Sequence, residues 1–121
     1  IQQPRIPIWL TGAWPRRTST DRALRFDGIL PNVIPPGGGF GELTVSAIEE
    51  IADHAKDVIS ERRFDIVAEG NTPDASPESI AMVEERRQAG ATWWIESPWS
   101  RENDFDYLRA RIAAGPAKPD R

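Results

Sequence analysis

The chain has 121 residues, 39% of them hydrophobic, and a net charge of −4, which is enough for one ordinary domain around one core. No apolar run approaches the length of a bilayer span, and no charged-then-apolar signal segment opens the chain. The absence of cysteine excludes disulfides and thiolate metal sites, and a single histidine argues against a histidine-rich metal centre or a Ser-His-Asp triad.

These features fit a soluble protein of the reducing cytoplasm, and no metal is expected. The charge is uneven. Residues 1–26 hold Arg5, Arg16, Arg17, Arg22 and Arg25 against Asp21 alone, whereas Asp27 to Glu61 is acidic. A basic head of this kind suits phosphate groups or is simply a solvated arginine-rich loop and helix. An acidic chain without a basic stripe argues against nucleic-acid binding, and neither nucleic acid nor membrane is an expected partner. The start at Ile1, leading at once through Gln2-Gln3-Pro4-Arg5 into a strand, suggests a cut inside a longer protein or a processed chain.

Ile6-Pro7-Ile8-Trp9-Leu10-Thr11 is nearly continuous in apolar residues, as in a strand covered on both faces. Gly12 ends it, and Thr11-Gly12-Ala13-Trp14 then forms a loop into a helix over Arg16–Phe26, with Ser19 or Thr20 as cap. Asp27 to Pro31 is a second, short strand. Asn32 to Glu42, with its Pro-Pro-Gly-Gly-Gly run, is a loop; it lacks both the spacing and the lysine of a nucleotide loop.

Leu43 to Arg63 is the clearest helix. Val45, Ile48, Ile51, Ala52, Ala55, Val58 and Ile59 make one apolar stripe, with Thr44 as a natural N-cap. His54 lies at the edge of that stripe and reads as a surface residue rather than a catalytic one. Phe64 to Glu69 is the third strand, ending in the polar turn Glu69-Gly70-Asn71-Thr72-Pro73. Ser76-Pro77-Glu78 starts a helix that runs to Gln88, closed by Gly90. Thr92-Trp93-Trp94-Ile95-Glu96 is the fourth strand, with Trp93 and Trp94 on opposite faces. From about Arg101 to Ala114 comes a last helix, whose Phe105, Leu108 and Ile112 share one face. Gly115-Pro116 stops it, and residues 117–121 are a polar tail.

The count is four βα units. Such a series predicts an α/β fold with a parallel sheet and right-handed crossovers, and strand tips as the place where chemistry collects. The tips offer three readings. Gly12 lets backbone N–H groups approach an anion beside a helix start, with Thr11 and Arg16 or Arg17 as further donors, or it is a tight turn. Glu69 and Glu96 form a carboxylate pair for acid–base work, or each is bonded to a loop N–H or an arginine. Trp14 and Trp99 stack on a ligand, or pack. No catalytic residue is assigned.

Several segments resemble the luciferase-like monooxygenases. Pro7-Ile8-Trp9-Leu10-Thr11-Gly12, followed by Arg22 through Pro31, is similar to that family's P-x-W-x-G-G strand and the helix ending in D-G. Thr11 stands where a glycine is usual. Glu69-Gly70-Asn71-Thr72-Pro73 resembles the E-G-x-T-P turn, Gly90 through Ser97 the last strand, and Arg111-Ile112-Ala113-Ala114-Gly115-Pro116 the closing R-I-x-x-G-P.

The resemblance covers nearly the whole chain but only strands five to eight of the family's (β/α)8 TIM barrel. It implies that residues 1–116 are the C-terminal half of a barrel belonging to a flavin- or deazaflavin-dependent oxidoreductase. The implied cofactor is FMN or deazaflavin, with its phosphate near Thr11, Gly12, Ala13, Trp14 and Arg16. Glu69, Asn71, Glu96 and Trp99 then lie on the side of a small-molecule substrate. The implied partner is the missing N-terminal half, or a second copy. A non-catalytic half-barrel assembly module and a small open flavodoxin-like domain are the alternatives.

Overall fold

Four short runs of β-formers, each bounded by turn residues and followed by a helical pattern, set the architecture. The computed structural model describes residues 3–60, 62–101 and 103–117. Strand β1 is Trp9–Trp14, β2 is Gly28–Val33, β3 is Asp65–Gly70 and β4 is Trp93–Glu96. The helices between and after them are α1 (Arg17–Ala23), α2 (Val45–Ile59), α3 (Pro77–Gln88) and α4 (Phe105–Ala114), the last preceded by a 3-10 turn at Trp99–Arg101. All strand pairs are parallel, and the sheet order is β1-β2-β3-β4, without a reversal.

The expected four βα units are therefore present, with shifted boundaries. Strand β1 starts later than the apolar run and continues through Gly12 to Trp14, so Thr11–Trp14 are strand rather than loop. The pairing explains this, because Gly12, Ala13 and Trp14 lie opposite Pro31, Asn32 and Val33 of β2, which itself extends two residues beyond Pro31. Helix α1 is shorter than expected. Its N-cap is Arg16, without a side-chain bond; Ser19 instead accepts from the Ala13 N–H at 2.9 Å and ties the helix to the end of β1.

The caps of the next two helices follow the sequence signals. Thr44 accepts from Ala47 N–H at 3.2 Å and Ser76 from Ser79 N–H at 3.3 Å. Gly90 adopts φ +117°, a conformation that costs glycine little.

The core lies on one side of the sheet. Ile29, Ile66 and Ala68 face Ala23 of α1, Ile48, Ile51 and Ala52 of α2, and Ala89 at the end of α3. The stripe read from α2 is the centre of that core. The opposite sheet face carries Trp9, Thr11, Leu30, Val67, Trp93 and Ile95, by strand alternation and register. No helix of the described residues covers it: Trp93 is 49% and Ile95 37% exposed. Trp9 and Trp93 meet across it, ring centroids 5.3 Å apart, with Val67 wholly buried. Trp94, on the core side, packs against Arg86 at 5.7 Å, so the two neighbouring tryptophans do divide between the two faces.

Helix α4 departs from the sequence reading. Its apolar stripe is not its buried face: Ile112 is 80% exposed and Phe105 is also exposed, while Arg111 is buried. The expected tail at residues 118–121 lies outside the described residues.

Candidate functional site

The C-terminal ends of the strands gather the polar residues. Beyond β2 the chain turns through Gly38 and Gly39, both at positive φ, and returns to bridge Gly41 to Val33. This places Phe40, Glu42 and Leu43 above the tips of β2 and β3. Together with Pro31, Asn32, Val33, Glu69, Ser97 and Trp99 they enclose a cavity of about 540 Å³. Ser97 Oγ donates to Glu69 Oε2 at 3.3 Å on its wall. Trp99, 70% exposed, and Phe40, 83% exposed, stand at the rim. The segment read as a plain loop is therefore one wall of the cavity.

Glu69 and Glu96 do not form a carboxylate pair. Glu69 lies opposite Ile95, and Glu96 is the next residue, so the two carboxylates leave opposite faces of the sheet. Glu96 is fully engaged. It accepts from the Thr72 N–H and hydroxyl, from Trp94 Nε1 at 3.2 Å, and from Arg111 at 3.2 Å. Arg111 also donates to Thr72 O at 2.6 Å and Thr72 Oγ1 at 2.7 Å, and to Gly115 O. Asn71 accepts from Tyr107 Oη at 2.9 Å. The reading of Glu96 as a bonded tip residue is the one that holds, and its network latches α4 onto the ends of β3 and β4.

A second depression, of about 450 Å³, lies beside the end of β1. Ala13, Arg16, Arg17, Thr18, Ser19 and Arg22 line it. Of the residues expected around a phosphate, Ala13 and Arg16 are there. Thr11 is exposed in mid-strand on the uncovered face. Gly12 is buried and faces α1: an added Cβ would stand 2.5 Å from Ile29 Cδ1. Trp14 is buried in the core, with Arg17 over its ring at 5.1 Å and His54 at 6.5 Å, so it packs rather than stacks on a ligand. His54 bonds Asp21 at 2.7 Å across the α1–α2 gap.

Thr72 and Arg111 stand in the E-G-x-T-P and R-I-x-x-G-P segments, which give them no role by themselves, and Tyr107 carries no sequence signal. A basic residue near a helix C-terminus carries the same signal whether it is solvated or turned inward to a carboxylate. Among the described residues no group of histidine, aspartate and glutamate has a metal-binding arrangement, and no helix is long and apolar enough to cross a membrane.

Comparison with family models, curated proteins and solved structures finds no match to this chain.

Proposed function

We propose that this chain is the C-terminal half of a (β/α)8 barrel of the luciferase-like monooxygenase type, supplying strand-tip loops to a flavin- or deazaflavin-dependent oxidoreductase. The observation that carries the reading is the uncovered sheet face. A barrel strand is covered by helices outside and by its own side chains inside, and here only the helix-packed face is filled. The sequential strand order supports it, since a doubly wound sheet reverses order at a switch point. Three segments that carry the family resemblance also meet in one network, through Thr72, Glu96 and Arg111, which gives their spacing a physical reason.

The depression beside β1 fits the phosphate of a flavin mononucleotide by its donor set: three guanidinium groups and the Thr18 hydroxyl, with no carboxylate in its lining. The Ser19 hydroxyl is committed to the backbone of Ala13 and Arg16. Arg16, Arg17 and Arg22 hold that end, and the strand tips orient the rest. The bound flavin supplies the redox chemistry; the chain supplies position and exclusion of water.

Titration of flavin mononucleotide against riboflavin, followed by flavin fluorescence, tests this. The phosphorylated form is expected to bind about tenfold tighter or more, the scale of a charge-assisted bond. The margin should shrink in Arg16→Gln. Equal affinity, or no binding of either, contradicts the reading.

A further inference from the structure

The depression beside β1 and the cavity above the tips of β2 and β3 are opposite in charge. The one beside β1 is lined by three arginines, and the 540 Å³ cavity by Glu42 and Glu69 with no basic residue. Glu42 is balanced from outside the cavity by Arg86, at 3.6 Å. Glu69 is not: among the described residues no cation lies within ion-pair distance of it, and its one bond is the Ser97 hydroxyl. Around it the lining is largely apolar, from Pro31, Val33, Phe40, Leu43 and Trp99.

We infer that this cavity binds a small ring-bearing molecule carrying a protonated amine, with Glu69 as its counter-ion. A carboxylate set in apolar surroundings interacts more strongly with a cation than one in bulk water, and an amine donor completes its bonding. The rings of Trp99 and Phe40 offer faces to an aromatic or alicyclic body and to the cation itself. An anion of the same shape meets Glu69 as a like charge. The volume is within the usual range for small-molecule sites, roughly 300–1,000 Å³. That the molecule is a substrate rests on the oxidoreductase reading above; that it carries an amine rests on the cavity alone.

The test uses two probes of similar size and opposite charge, 2-phenylethylamine and 3-phenylpropionate, titrated into the whole chain at neutral pH. Binding is read from the Trp99 indole N–H resonance. The amine is expected to bind saturably and about tenfold or more tighter than the acid. Glu69→Gln should abolish that preference and Arg16→Gln should leave it. The inference is overturned if the acid binds as tightly as the amine, if neither moves Trp99, or if the preference survives Glu69→Gln. Flavin titration separates the two readings. Amine preference without flavin binding removes the oxidoreductase and keeps the cavity assignment, whereas flavin binding without amine preference does the reverse.

Discussion

Gly12 illustrates how one residue type can answer either of two demands. After an apolar run, a glycine signals that the chain is about to turn. Here the chain does not turn: β1 continues, and the missing side chain lets α1 lie close to the sheet. A Cβ would stand 2.5 Å from Ile29 Cδ1 and 3.7 Å from the Thr20 backbone, and Ile29 is wholly buried with little room to yield. Gly12→Ala should therefore lower stability by about 1–3 kcal/mol, the cost of overpacking, visible as a lower urea midpoint. Sequence alone does not separate a turn glycine from a packing glycine, because both follow apolar runs and precede helices. The same ambiguity affected Trp14, whose place at a strand end suggested a stacking surface, although the added strand length buries it.

At the scale of elements, the helices with strong caps and apolar stripes were legible. Thr44 and Ser76 cap where their spacing says, and the stripe of α2 is the core. Helix α4 was legible as a helix but not in its orientation. Its stripe of Phe105, Leu108 and Ile112 is the signal of a buried face, yet Phe105 and Ile112 face outward. What holds α4 in place is polar: Arg111, 6% exposed in its side chain, reaching Glu96 and Thr72. Arg111→Met should cost about 3 kcal/mol by leaving Glu96 without its cation, with partial relief because the Glu96 side chain is 26% exposed. Chemical denaturation measures this. An unchanged midpoint would mean that α4 is not latched through this pair. On the proposed half-barrel reading, the outward stripe of α4 would pack against a neighbouring helix, as each outer helix of a barrel does.

For the whole molecule, the series of strands and helices predicted the parallel sheet, and the observed order adds that it never reverses. The strand runs by themselves did not show how one-sided the core is; an uncovered inner face followed only from the half-barrel expectation. Strand runs as apolar as Trp9-Leu10 and Trp93-Trp94-Ile95 read as covered on both faces, and here only one face is covered. Trp9 and Trp93 fold over each other across the open side, which hides Val67 but leaves much of both indoles in water. Large apolar surfaces of this kind, bounded by two unpaired strand edges, favour association. On the proposed half-barrel reading, the exposed face, the edges of β1 and β4 and the outward stripe of α4 are the surfaces that the other half would cover.

The most direct test of that claim is the solution mass by light scattering, across a concentration series, of the chain and of Trp93→Glu. The account predicts a mass above the 13.5 kDa of one chain that rises with concentration toward a closed assembly, and a return toward 13.5 kDa when Trp93 is charged. A mass of 13.5 kDa at every concentration, with cooperative unfolding, would contradict it and leave a self-contained open sheet.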